Sequence, residues 1–521
     1  PVSKRTRREL FADIGRGVIA ASVGPALAGD LGFGTAWAAD DPARLTFGDL
    51  DPLVNFLRDT PPEALIAEAV RKLRSGTPLR ELVAAAALAN ARAFGGEDYV
   101  GFHTLMALAP AFQIAQEEPD AARKPLAVLK VLHRNATRLK EVGSAKETLT
   151  VVRPGKLAAG RNGGEQVRDA ARRADMAGAE AAFAAVCQGG PVAALDELML
   201  EVDDATEVHR VVLVSRAWDL TRFVGAAHAG TMLRQSVRYC VTAETNAAQV
   251  TANAPLRELL PNLLDRYKLV GARPGTRAAD DAWVAGFADT LFRADAAGAA
   301  DAAAAALADG FTAEAVGEAL SLAANQLVLR DDGRPAAWAQ PNKPAGSVHG
   351  DSVGVHSCDT VHAWRNLARV GGSRTRVTSL LLAGYQVGRD RASRAEFRTW
   401  EPYPRAGHAE NVRAVPADAL LKALDAAVRD QDQARAAALT ARIGAETPEA
   451  APAVAALCRG FATSQDGALH GEKYYATATD EFARGRAAFR WRHLVALARV
   501  TASAYGYAAP GHREARERLK V

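Results

Sequence analysis

Apolar positions follow a helical pattern almost from one end of the chain to the other. From Pro61-Pro62-Glu63 onward, Leu65, Ile66, Ala69, Val70 and Leu73 recur every three or four residues, the period of one helix face. Gly76-Thr77-Pro78 breaks that run, and a second helix is predicted from Leu79 to about Ala93. Later breaks rich in Pro and Gly fall at 148–164, 261–276 and 331–346. Ala dominates and β-branched runs are short, which favours closely packed helices over sheet. The pattern predicts an all-α fold.

The pattern also repeats. Leu73-Arg74-Ser75-Gly76, followed by Leu82, Leu88 and Ala89, matches Leu307-Ala308-Asp309-Gly310, followed by Val316, Leu322 and Ala323. After each copy comes a Val-Gly-apolar-His tetrad, Val100-Gly101-Phe102-His103 and Val353-Gly354-Val355-His356. A weaker echo pairs Val224-Gly225-Ala226-Ala227-His228 with Asp466-Gly467-Ala468-Leu469-His470. Similar helices rich in Ala and Leu match easily by chance, but His is scarce, with 11 in the chain, and here it recurs at matched places. The expectation is a helical array of two related halves, 45–265 and 277–515, around a histidine-rich pocket formed by His103, His228, His356 and His470.

A chain of 521 residues at 49% hydrophobic content can build a large core. Its formal charge of +4 is small, and no basic stripe interleaved with aromatics occurs, which argues against nucleic-acid binding. No run of 18 uncharged apolar residues suggests a membrane span. Cys187, Cys240, Cys358 and Cys458 are far apart and form no CxxC pair, so a disulfide framework is not indicated, although an exported chain could form one bridge.

The opening Ser3-Lys4-Arg5-Thr6-Arg7-Arg8-Glu9-Leu10-Phe11 is followed by a weakly apolar Gly/Ala segment and then Ala36-Trp37-Ala38. This resembles a bacterial twin-arginine export signal over 1–38, although Arg16 and Asp30 place charge in or near the apolar stretch. The alternative is a basic amphipathic first helix. The resemblance implies a periplasmic or secreted protein that folds, and acquires any cofactor, before export.

The chemistry concentrates between Ser347 and Asn366. His349, His356 and His362 lie within 14 residues, with Asp351, Cys358 and Asp359 beside them. With a helix starting near Val353, His356 and Asp359 are neighbours on one face, His362 lies a further three residues on, and His349 and Asp351 sit on the entering loop. Neutral imidazoles bind Fe, Cu or Zn, and a nearby carboxylate completes the shell or fixes the ring tautomer. The spacing is not HExxH. Downstream of His228, Thr231, Gln235 and Arg238 share its helix face, and Arg238 is a candidate to hold an anion or, alternatively, a structural salt bridge. Tyr474, near His470, is a candidate proton donor or a core aromatic. His133, His209 and His493 read as structural, and His408 and His512 as exposed. No Rossmann, P-loop or GxSxG pattern is present. Cys358, flanked by His356 and Asp359, is a possible thiol nucleophile if an electropositive site ionises it.

The phrase His356-Ser357-Cys358-Asp359-Thr360-Val361-His362-Ala363-Trp364-Arg365 distantly resembles the histidine-bearing helices of the questin oxidase-like family, as does Phe102-His103-Thr104-Leu105-Met106-Ala107-Leu108. The resemblance covers these short segments only. It implies an all-helical oxygenase of polycyclic aromatic ketones, with His103, His228, His356 and His362 as the positions carried over. The export signal and the loop before His349 depart from that family's pattern.

The expected function is an exported, metal-dependent (Fe, Cu or Zn) oxidoreductase acting on a small organic substrate. Its expected metal ligands are His103, His228, His349, His356 and His470, and its catalytic residues His356, His362, Asp359, His228, Arg238 and Tyr474. The alternatives are a metal-free oxygenase that uses His as general base and a non-catalytic periplasmic helical scaffold or metal-binding protein.

Overall fold

The structure, a computed structural model, describes residues 44–143 and 147–521. The predicted export signal, 1–38, lies outside them. The fold is all-α, with 23 helices, 73% helical content and no strand among the described residues. The first eleven helices are α1 (Asp51–Asp59), α2 (Pro62–Arg74), α3 (Leu79–Phe94), α4 (Tyr99–Glu117), α5 (Leu126–Val142), α6 (Gly163–Arg172), α7 (Met176–Val186), α8 (Pro191–Val202), α9 (Val208–Val224), α10 (Ala229–Glu244) and α11 (Ala247–Arg266). The rest are α12 (Asp281–Arg293), α13 (Ala296–Ala308), α14 (Ala313–Arg330), α15 (Val353–Val370), α16 (Ser373–Ala392), α17 (Ala406–Asn411), α18 (Leu420–Arg429), α19 (Gln433–Glu446), α20 (Ala451–Ser464), α21 (His470–Arg484), α22 (Trp491–Ala504) and α23 (His512–Leu519).

Local signals set the helix starts. Asp98 accepts from the Gly101 N–H to cap α4, Glu207 from Arg210 to cap α9, and Ser352 from Val355 to cap α15. The predicted start near Val353 is the observed one. Helices α3, α4, α14 and α15 are buried on nearly every side. Small residues let them approach closely: a Cβ on Gly354 of α15 would stand 2.6 Å from the backbone nitrogen of Val328 in α14. Among the described residues no helix is long and apolar enough to cross a membrane.

Leu45–Val521 forms one body. The stretches 45–265 and 277–515 are therefore not separate compact units, because their helices interleave. Helix α9, from the first stretch, packs on α15 as well as α4, and α21, from the second, packs on α4 as well as α15. Helices α4, α9, α15 and α21 thus surround a common centre, and the functional candidates are found there.

Candidate functional site

Each of those four helices brings one histidine inward. His103 comes from the first turn of α4, His209 from the start of α9, His356 from the first turn of α15 and His470 from the first residue of α21. Their rings form a closed circuit. Centroids are 4.9 Å apart for His103–His209, 6.1 Å for His209–His356, 5.3 Å for His356–His470 and 5.4 Å for His470–His103. The Nε2 atoms of His356 and His470 are 3.3 Å apart.

Two tautomers follow from the partners. The Nδ1 of His103 lies 2.6 Å from the Tyr99 carbonyl oxygen, which can only accept, so Nδ1 carries the hydrogen and Nε2 the lone pair. The Nδ1 of His209 lies 2.7 Å from Glu207 Oε1, whose other oxygen accepts from the Tyr239 hydroxyl at 2.7 Å. Burial pushes the Glu207 carboxyl up, but the bonds from His209 and Tyr239 outweigh it and hold the group at about 2. An ionised Glu207 fixes the His209 hydrogen on Nδ1. The Nε2 atoms of His103 and His209 are buried with no hydrogen-bond partner among the described residues, as is Nδ1 of His470.

Three of the rings, His103, His356 and His470, sit in an environment that refuses protons. Burial, then the Lys473 ammonium and neighbouring rings, depress His103 to about 2 and His356 to about 3, and push His470 well down. Lys473, on α21 one turn beyond His470, is 3% exposed. Burial lowers its amine to about 8 despite the opposing charge of Asp359. Asp359, 3% exposed on α15, is raised by burial even though Lys473 and Arg216 pull it down.

The segment entering α21 is conformationally costly. Gly467, Ala468 and Leu469 all have left-handed φ, 51°, 48° and 64°. Two consecutive residues with side chains in that region cost on the order of 1–3 kcal/mol each. The turn they make delivers His470 to the centre. From the other side Gly350 closes on it, and a Cβ there would stand 2.2 Å from the His470 Cβ. His349, 3% exposed, adjoins this contact; its Nδ1 lies 3.4 Å from Asp351 Oδ1, and Arg334 and Lys343 hold that carboxylate at 2.6 and 2.7 Å. The circuit is not sealed. The His209 side chain is 14% exposed, and Tyr99, 60% exposed, lays its ring 4.4 Å from that of His103.

The structure therefore brings together His103, His356 and His470, with His349 and Asp359 beside them. It does not bring the other predicted residues into the circuit. His228 ends a short turn, 226–228, and its ring meets Phe47 edge-on at 5.4 Å. The helix it introduces, α10, packs chiefly on α7, α8 and α9, whereas α9 is the one that faces the centre. Arg238 is engaged by Glu180 at 2.8 Å and Glu97 at 2.9 Å, so the salt-bridge alternative holds. His362 has both nitrogens occupied, Nδ1 by Glu481 at 2.8 Å and Nε2 by the Asn366 amide at 2.9 Å. Glu481 also binds Arg365, which makes this a separate buried knot. Tyr474 is 2% exposed beside Cys358, and burial raises both its hydroxyl and the Cys358 thiol, which removes the thiolate reading.

Sequence reasoning missed His209, Glu207 and Lys473. The only local signal was Glu207-x-His209 at a helix start, which reads equally well as an ordinary cap. Lys473 carried no signal, since burial is invisible in a lone lysine.

Among the described residues no group of three or more His, Cys, Asp or Glu side chains is placed to hold a metal ion. Comparison with protein-family models, curated proteins and solved structures finds no match.

Proposed function

We propose that the chain is an exported oxidoreductase whose reacting centre is the circuit His103, His209, His356 and His470, and that this centre holds a single Fe, Cu or Zn ion. One observation carries the reading: imidazoles converge from four helices, with the His103 lone pair set on Nε2 by the Tyr99 carbonyl at its Nδ1, the His209 ring oriented by Glu207, and both Nε2 atoms left without a protein partner. The donor chemistry fits such an ion, which binds neutral imidazole and is tuned by what holds the second ring nitrogen. The 3.3 Å between His356 and His470 Nε2 is close to the ~3.4 Å separating two ligands of a tetrahedral shell with bonds of about 2.1 Å. His103 and His209 supply the remaining free nitrogens. When bound, the ion would supply Lewis-acid polarisation and, for Fe or Cu, electron transfer. Around it, Glu207 and the Tyr99 carbonyl orient two rings, Lys473 opposes protonation of the others, and Tyr99 covers the open side.

The order α2–α3–α4 and α13–α14–α15, with His103 and His356 at matched places, supports a duplicated origin for the site. The resemblance to questin oxidase-like helices supports an oxygenase among oxidoreductases, and the N-terminal pattern supports a periplasmic or secreted location. Elemental analysis of protein purified without chelator tests the metal. About one Fe, Cu or Zn per chain, absent from His356→Ala, is expected; metal-free protein that binds none on reconstitution contradicts it.

A second reading has its own support. The 3.3 Å contact between His356 and His470 also suits an N–H···N hydrogen bond, which leaves His103 and His209 as general bases in a metal-free oxygenase. That reading predicts turnover in protein stripped of metal.

A further inference from the structure

We propose that the cleft walled by α4, α5, α18, α20 and α23 binds a small aromatic anion, with its ring on Phe461 and its carboxylate or phosphate head at Lys124 and Arg516. The cleft encloses about 510 Å³, the size of a small-molecule site. None of the residues lining it belongs to the imidazole circuit, so the proposal stands whether or not a metal binds there.

Charge is unbalanced in the cleft. Four Arg or Lys side chains line it, Arg123, Lys124, Arg429 and Arg516, against two acids, Glu118 and Asp425. Both acids are already engaged: Asp425 holds Arg429 at 2.8 Å, and Glu118 lies 3.6 Å from Arg459, which stands outside the lining. Arg123 faces Asp120 at 3.4 Å, also outside the lining. Lys124 and Arg516 remain. Among the described residues neither makes an ion pair; the Lys124 ammonium has no hydrogen-bond partner, and Arg516 donates only from Nε, to the Val521 carbonyl at 3.1 Å. Their neighbour His512 also lines the cleft. Burial, then the charges of Arg516 and Lys130, push its ring down, so near pH 7 it is neutral and keeps one N–H to donate. Guanidinium and ammonium groups left without acids are what recognises a carboxylate or a phosphate.

The same cleft holds an apolar shelf. Phe461 and Tyr505 meet edge to face, 5.1 Å between centroids, and Arg429 lies beside both rings with its Nη1 3.3 Å from the Tyr505 hydroxyl. Leu457 stands one turn before Phe461 on the same face of α20. Gly460 keeps that face open. A glycine inside a helix costs stability relative to alanine, and packing does not require one here, because a Cβ on Gly460 would meet no atom within 4 Å. The space it leaves is where an aromatic ring lying on Phe461 would sit.

The test is isothermal titration calorimetry of the full chain with naphthoate, naphthyl phosphate and neutral naphthalenemethanol. At least one of the two anions is expected to bind at a single site with a Kd of about 1 mM or tighter, and the alcohol at least about tenfold more weakly. The tighter-binding anion identifies the head group. Lys124→Glu and Arg516→Glu should each weaken that anion about tenfold or more. Gly460→Leu should abolish its binding without lowering the melting temperature, because the new side chain enters open space. The proposal is overturned if the alcohol binds as tightly as the anions, if neither anion binds, or if binding is unchanged in the three variants, which would place the anion elsewhere on the chain.

Discussion

At the scale of single residues, the site depends on how the imidazoles of His103, His356 and His470 are kept neutral and how each ring is oriented. Glu207 orients His209 and also caps α9. Replacing it with Ala should cost about 1 kcal/mol of stability through the lost cap and weaken metal binding about 10–100-fold. Glu207→Gln keeps an acceptor and should retain most of both. Competition with a metal indicator and urea unfolding check the pair; equal metal affinity in the two variants would contradict an orienting role.

The neutral rings also set a pH dependence. In the folded chain His103 stays near 2, His356 near 3 and His470 well below its ordinary 6.5. Below pH 6.5 the unfolded chain therefore takes up protons that the folded chain refuses. Stability contributed by these rings is complete above pH 6.5 and is lost as pH falls toward 3. Each ring contributes up to about 1.4 kcal/mol per pH unit, so three approach roughly 4 kcal/mol per unit. Urea midpoints at pH 7 and pH 5 should differ sharply, and equal midpoints would contradict burial of neutral rings.

At the scale of elements, the site depends on how α21 is delivered. Gly350→Ala places a methyl group where the His470 Cβ stands, so it should destabilise by about 1–3 kcal/mol and lower metal content together. Loss of stability with full metal content would show that His470 is not a ligand. Lys130, on α5, secures the same helix through Glu472, which is fully buried. Lys130→Met leaves that carboxylate unpaired and should cost about 3–5 kcal/mol, measured by thermal or urea unfolding. The turns before α10 and α21 explain one misreading of the sequence. Both are short 3-10 turns ending near a histidine, and their residues look alike in the one-letter text. Only packing separates them, because α21 crosses to α4 and α15 whereas α10 stays with α7, α8 and α9.

At the scale of the whole molecule, helicity was legible because the 3.6-residue period is local. The start of α15 was legible because Ser352 caps it. His103 and His356 were legible because a scarce residue recurs after matched phrases, whereas the weaker phrase that marked His470 marked His228 equally, and His228 lies elsewhere. The interleaving of 45–265 with 277–515 was not, since it depends on contacts between α9 and α15 and between α21 and α4 that no local pattern encodes. His209 and Lys473 acquire meaning only from that interleaving.

The most direct test of the central claim is a cobalt(II) titration followed by visible absorption, run on the unmodified protein, His356→Ala, His209→Ala and His228→Ala. The account predicts saturation at about one equivalent with an imidazole-ligated spectrum, retained in His228→Ala, abolished in His356→Ala and weakened in His209→Ala. A spectrum unchanged in His356→Ala, or lost only in His228→Ala, would contradict it.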